Sequence, residues 1–242
     1  MPGPKKLAAK ITKRFNILLT IFLVTSWPGF AQDSLQIKFD VTASLKEYHK
    51  QVNDDSTKQM VELKSMIPGL IYDLRYATTN NFTQQRMYPK GLSITYLRRP
   101  AASALKQVQR ELNQKGLGLK IFDAYRPYSV TVKFWELIKD ERYVANPAKG
   151  SGHNRGIAVD LTIINKETRE ELNMGTAFDN FSDTAHQSFI QLPKEILQNR
   201  SLLRSTMEKY GFTALETEWW HYYLPATDKY EVLDIDFGKL KN

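Results

Sequence analysis

From Gly156 the chain runs Ile157-Ala158-Val159-Asp160-Leu161-Thr162-Ile163, which sets Ile157, Val159, Leu161 and Ile163 on one side and Ala158, Asp160 and Thr162 on the other. That alternation is the two-residue period of a strand. The apolar side has to seat in a core, so the opposite side presents Asp160 to a cavity. Just upstream, Gly152 and Gly156 bracket His153 with permissive backbone, which lets the loop fold back and bring the imidazole near the carboxylate. Taken alone, His153 and Asp160 are either a hydrogen-bonded pair or part of something chemical, and residues about sixty positions downstream bear on the choice.

The chain has 242 residues, enough for one ordinary domain and an extra piece. That piece is the amino terminus. Lys5, Lys6, Lys10, Lys13 and Arg14 precede a mostly apolar run from Phe15 to Val24, and Gly29-Phe30-Ala31 supplies small residues for cleavage. Residues 1–31 therefore read as a secretory signal cut after Ala31, which implies export, with the periplasm as the destination. The apolar run is short for a bilayer span, so a retained anchor is the weaker alternative. Without these residues the formal charge falls from +8 to +3, which takes away the basic footprint a nucleic-acid partner would need. The absence of cysteine excludes disulfides, thiolate metal sites and a cysteine nucleophile, so burial alone must hold the mature core.

Residues 32–58 are polar, contain Asn53-Asp54-Asp55-Ser56, and read as a weakly structured lead-in to a domain over 59–242. Val61-Glu62-Leu63 and Ile71 to Tyr76 alternate as strands about a Pro68-Gly69 turn. The irregular stretch up to Tyr96 is long enough to be functional. Pro100 then opens an amphipathic helix carrying Leu105, Val108 and Leu112 and stopped by Gly116. Leu117 to Phe122 is a strand, Ser129 to Lys139 and Asn199 to Tyr210 are helices, and Met174 to Asp179 opens another irregular loop. His49 and His186 read as surface and loop histidines without a chemical role. No repeat or linker divides the mature chain, and the pattern is that of a single α+β domain.

The run Glu216-Thr217-Glu218-Trp219-Trp220-His221-Tyr222-Tyr223 supplies the remaining chemistry. Zinc without thiolate takes imidazole and carboxylate, and a catalytic site uses three protein ligands. His153, Asp160 and His221 make such a set, leaving Glu218 to take a proton from water acidified by the cation. In a regular strand, residues three apart face opposite ways, so Glu218 and His221 can share a site only across a bulge or bend. The surrounding aromatics either exclude solvent from a site or fill a buried edge strand. Arg126, fixed at a strand end by Pro127, is either an oxyanion donor or a surface ion pair.

Together these pieces resemble one family. Ser-Gly-His-x-x-Gly-x-Ala-x-Asp around His153 and Asp160, Glu218-Trp219-Trp220-His221, and Asp123-Ala124-Tyr125-Arg126-Pro127 are similar to the zinc D-alanyl-D-alanine dipeptidases of the vancomycin-resistance (VanX) type. The likeness extends to Tyr76-Ala77-Thr78-x-Asn80-Asn81-Phe82-Thr83 and Met174-Gly175-x-x-Phe178-Asp179, and spans roughly residues 65–225. The resemblance implies one zinc ion per chain on His153, Asp160 and His221, Glu218 as catalytic base and Arg126 as stabiliser of the intermediate. It also implies Tyr76, Ser151 and Asp179 as substrate-binding residues lining the pocket for the dipeptide's charged ends. The implied fold is a zinc D,D-peptidase domain with a central antiparallel sheet flanked by helices. The implied reaction is hydrolysis of a small dipeptide partner, D-Ala-D-Ala, and export favours a role in turnover of wall fragments. Two other readings stand beside it: a D,D- or L,D-carboxypeptidase trimming peptidoglycan stems, which needs a groove open at the substrate's amino end, and a silent zinc or wall-binding module, which needs neither Glu218 nor Arg126.

Overall fold

The computed structural model describes residues 39–226 and 228–241, so the expected signal over residues 1–31 lies outside the described residues. Among those described, no helix is long and apolar enough to cross a membrane.

The stretch expected to be a weakly structured lead-in is ordered from residue 41 on. Strand β1 (Val41–Thr42) is followed by helix α1 (Leu45–Asp54). Tyr48 is the buried residue of α1, and its hydroxyl accepts a hydrogen bond from the Met60 amide at 2.7 Å. Asn53-Asp54-Asp55-Ser56, which looked like a loop, is a helix end running into a 3-10 turn that Asp55 caps by accepting from Thr57 N at 2.9 Å. Polar composition misled here because only one face of α1 is covered, so buried Tyr48 with half-buried Leu45 and Val52 is enough to dock it.

Strand β2 (Met60–Glu62) leads directly into the short helix α2 (Leu63–Met66), whose first amides are capped by the Glu62 carboxylate. Strand β3 is only Ile71–Tyr72. The expected strand to Tyr76 stops early because Arg75–Ala77 coils into a 3-10 turn that turns Tyr76 inward. Nor do β2 and β3 share a sheet: β2 pairs antiparallel with β4 (Tyr96–Arg98), and β3 joins the main sheet.

Helix α3 (Arg99–Asn113), with proline in its first turn, buries Leu105, Val108 and Leu112 as the spacing predicts and packs against β5 (Leu117–Asp123). Helix α4 (Tyr128–Ile138) follows, then β6 (Ala158–Asn165), which is buried along nearly its whole length. Helix α5 (Lys194–Lys209) starts five residues before the expected Asn199, because Pro193 sets up the turn ahead of it. Strands β7 (Thr213–Ala214), β8 (His221–Tyr223) and β9 (Val232–Leu233) complete the chain, with β9 returning to pair with β1.

The main sheet has the order β3-β5-β6-β8-β7. It is antiparallel except for its edge, where β3 runs parallel to β5. Leu119 and Ile121 of β5 stand opposite Ile163 and Leu161 of β6, so one face is continuously apolar and carries the core. The other face carries Asp160. The α+β class and the helix-flanked antiparallel sheet agree with the expectation from sequence.

Candidate active site

Register brings the chemistry together. Asp160 of β6 is the cross-strand partner of His221 on β8 and of Asp123 on β5. The β5–β6 ladder slips between Ile121 and Asp123, and this bulge places Asp123 opposite Asp160 instead of one position out of step. Three adjacent strands thus put three functional side chains in one row.

His153 reaches the same row from the loop before β6. The loop is a series of tight turns in which Gly156 takes a φ of 70° beside the Met60 side chain, 2.7 Å from where a Cβ would stand. A side chain there would be strained and would require the end of Met60 to move. The His153 Nδ1–H donates to the Ala124 carbonyl at 2.7 Å, which leaves Nε2 as a lone pair facing the sheet.

His153 Nε2 lies 3.3 Å from His221 Nδ1 and 3.4 Å from Asp160 Oδ2, and His221 Nδ1 lies 2.9 Å from Asp160 Oδ1. A tetrahedral ion with metal–ligand distances of about 2.0–2.1 Å holds its ligand atoms about 3.3 Å apart. The three side chains could therefore hold a metal ion with little movement. Among its own side chains the trio is held together by charge. Burial opposes charge on Asp160, but His153 and His221 overcome it and hold the carboxyl below the ordinary range. Burial likewise opposes the His221 imidazolium, and Asp160 outweighs it and raises its basicity.

Glu218 stands just outside this trio. The bend that sequence left open is present: Glu218 N bonds to Leu215 O and His221 N to Glu218 O at 3.2 Å, so residues 215–221 make consecutive turns before β8 begins. Glu218 and His221 therefore face one another, with Oε2 4.0 Å from Nδ1. Burial raises the Glu218 carboxyl above its usual value, with Asp160 adding to the effect.

Arg126 is buried opposite. Its Nε and Nη2 both bond to Asp123 Oδ2, at 3.1 and 2.7 Å, and its guanidinium lies over the rings of Phe134 and Tyr76. Asp123 is held in turn by the Tyr88 hydroxyl at 2.7 Å and the Ala124 amide at 2.9 Å. This is a built ion pair and not the surface pair that the sequence also allowed.

Tyr76, Ser151 and Asp179 share the cavity. The Tyr76 hydroxyl donates to Asp179 Oδ1 at 3.0 Å, and the Phe82 amide points at Oδ2 from 3.4 Å. Asp179 sits at φ 62°, a left-handed conformation uncommon for a residue other than glycine. The Ser151 Oγ accepts from Asn154 N at 3.1 Å, and its own proton is left to donate. All eight residues nominated from sequence, Tyr76, Arg126, Ser151, His153, Asp160, Asp179, Glu218 and His221, line one cavity of about 570 Å³. The His186 side chain is not among the residues lining it.

Burial pushes the Asp179 carboxyl up to about 7, and the charges of Asp160 and Glu218 act in the same direction. The folded state thus holds this proton more tightly than the unfolded chain, so stability falls as pH rises from about 4 towards 7 and the deficit persists above that. Asp179→Asn removes the deficit. Thermal melts should show the variant above wild type at pH 8 and level with it near pH 4, and a variant less stable than wild type at pH 8 would refute this.

Two contributors escaped the sequence reading. Asp123 was visible only as a motif member, and its role depends on a bulge. Asn154 is fully buried; its Nδ2 donates to Arg126 O at 2.9 Å and Thr131 Oγ1 at 2.8 Å, while its Oδ1 accepts from Ser151 N. It staples the His153 loop to the Arg126 loop and α4, and nothing in local spacing announces that.

Asp160, Asp179 and Glu218 line a cavity with Arg126, whose guanidinium is already paired with Asp123, and the donor atoms of His153, Asp160 and His221 stand close to tetrahedral separations. A divalent cation held by this trio would balance that charge, an arrangement found in metal-dependent hydrolases. Comparison with known proteins narrows the class: residues 56–237 match the D-ala-D-ala dipeptidase family of M15 peptidases, and the chain belongs to that family. The D-alanyl-D-alanine dipeptidase of Escherichia coli (strain K12) is 34% identical over 182 residues, covering 75% of this chain and 93% of its own. Those of Enterococcus faecalis (strain ATCC 700802 / V583) and Streptomyces coelicolor (strain ATCC BAA-471 / A3(2) / M145) are 32% and 30% identical, over 69% and 68% of this chain and 94% and 92% of theirs.

Proposed function

We propose that this protein hydrolyses free D-alanyl-D-alanine to two D-alanines, with one zinc ion per chain held by His153, Asp160 and His221, in the turnover of cell-wall fragments. Family membership supports the reaction. The observation that carries the mechanism is the Glu218 carboxylate, 4.0 Å from the ligand trio and without a protein hydrogen-bond donor among the described residues.

When bound, the zinc ion acidifies a water and polarises the scissile carbonyl. Glu218 takes the proton from the attacking water and returns it to the departing amide nitrogen. Arg126, held by Asp123, presents its remaining N–H groups to the oxygen on which negative charge develops. Asp179 meets the substrate ammonium with the Tyr76 hydroxyl beside it, and Ser151 donates to the substrate carboxylate. The rings of Phe82, Phe134 and Phe181, which also line the cavity, keep water away and strengthen these contacts.

A carboxypeptidase acting on stem peptides needs open space at the substrate's amino end, whereas here Asp179, held by Tyr76 and the Phe82 amide, offers a carboxylate suited to a free ammonium. A binding module has no use for a free base beside its metal. The basic and apolar leader over residues 1–31 supports export, and amino-terminal sequencing of the mature protein tests it: an intact Met1 would exclude cleavage.

Metal titration tests the metal assignment. Chelator-stripped protein is expected to release no D-alanine and to recover in proportion to added zinc, up to one ion per chain. Undiminished turnover by protein verified as metal-free would end the proposal.

A further inference from the structure

The loop that carries Asp179 lacks the usual means of holding a shape. From Met174 to Phe181 no backbone group makes a backbone hydrogen bond among the described residues, yet Asp179 keeps a left-handed φ at its middle. Buried Arg200 of α5 ties the start of this loop to the 3-10 turn (Asp183–Ala185) just beyond its end. Its Nε donates to Met174 O at 2.7 Å, its Nη2 to Thr184 O at 2.8 Å and its Nη1 to His186 O at 3.1 Å. No carboxylate lies within ion-pair distance of it among the described residues, so a buried cation spends its donors entirely on three carbonyls. Its neighbour Asn199 adds a bond from Nδ2 to Asn173 O at 3.0 Å.

This loop and the 3-10 turn beyond it are fastened to the turn that bears Glu218. Trp219 Nε1 donates to Thr176 Oγ1 at 2.8 Å, Trp219 N to Ala185 O at 3.0 Å, and Gln187 N to Glu216 O at 2.7 Å. The carboxylate assigned to the substrate ammonium and the carboxylate assigned as base therefore sit on two segments bolted together, with Arg200 as the clamp on the first. We infer that Arg200 is a positioning residue for substrate binding: it fixes Asp179 where the ammonium group of the dipeptide must lie. This rests on the assignment of Asp179 to that ammonium.

A lysine at 200 keeps the charge but cannot span three carbonyls, since its donors radiate from one atom. The test is a double-mutant cycle on zinc-loaded enzyme with free D-Ala-D-Ala, comparing wild type, Arg200→Lys, Asp179→Asn and the double variant. Loss of a charge-assisted contact predicts that Asp179→Asn raises KM about tenfold or more. Arg200→Lys is expected to raise KM to a similar degree with kcat within about threefold, the pattern of lost uniform binding. The double variant should be no worse than Asp179→Asn alone, because Arg200 acts through Asp179.

Additive losses, an unchanged KM in Arg200→Lys, or a fall in kcat without a rise in KM would each overturn the inference. If Asp179→Asn keeps the wild-type KM, the ammonium assignment itself has failed, and a KM rise confined to Arg200→Lys then means that Arg200 acts elsewhere. Should Arg200→Lys not fold, Arg200→Gln carries the same comparison. Failure of both to fold would make Arg200 a determinant of the whole domain and would also reject the inference.

Discussion

Glu218→Gln is expected to keep its zinc, its fold and a KM near wild type while losing about 10²- to 10⁴-fold in kcat for D-Ala-D-Ala. The amide fills the same space between His221 and the cavity but cannot accept the proton of the attacking water. Burial has already raised the Glu218 carboxyl above the ordinary range, which brings its basicity closer to working pH than that of an exposed glutamate. Steady-state kinetics with metal analysis on the same preparation check this. A kcat within threefold of wild type at full zinc occupancy would remove Glu218 from the mechanism.

Replacing Arg126 is expected to damage both chemistry and fold, and two variants separate the effects. Arg126→Ala strips the donor from the developing oxyanion, which costs about 10²- to 10³-fold in kcat. It also leaves Asp123 buried without its cation, which costs about 3–5 kcal/mol of stability. Arg126→Lys restores the charge but not the fork that bonds Asp123 through both Nε and Nη2, so stability should recover more than kcat. Thermal melts and kinetics read the two separately. Equal recovery of both, or an unimpaired kcat in Arg126→Ala, would mean that the guanidinium serves structure alone.

The parts of the molecule legible in the sequence are those where a local period decides the outcome. The alternation from Ile157 to Ile163 gave β6, and the recurrence of Leu105, Val108 and Leu112 before Gly116 gave α3, because each side of those elements meets a different environment. The site residues were nominated on other grounds: His153, Asp160, Glu218 and His221 are types that suit a metal and a base, whereas Tyr76, Ser151 and Asp179 came from the family resemblance alone. What stayed hidden depends on long-range pairing. The order of α1 comes from one tyrosine reaching Met60 and from β1 meeting a strand near the far end of the chain.

Tyr76 looked like the end of a strand because the residues before it alternate, yet its place is set by the cavity it helps to close. Asp123 needed a bulge and Asn154 needed three separate elements before either had a role. The turn that lets Glu218 face His221 is likewise invisible in Glu-Trp-Trp-His. Strand periodicity alone would have separated the two, and it is the buried pair of tryptophans, with Trp219 bonded to Thr176 and Ala185, that holds the bend.

The central claim is that this metal site serves a free dipeptide whose ammonium group meets Asp179. Its most direct test compares, on zinc-loaded enzyme, the kcat/KM for D-Ala-D-Ala, for the same dipeptide acetylated at its amino end, and for a pentapeptide stem ending in D-Ala-D-Ala. Cleavage of the free dipeptide, with the acetylated form and the stem at least about 10²-fold poorer, is the predicted result, since a neutral or extended amino end leaves the Asp179 carboxylate unpaired. Comparable kcat/KM for the blocked dipeptide or the stem would contradict it.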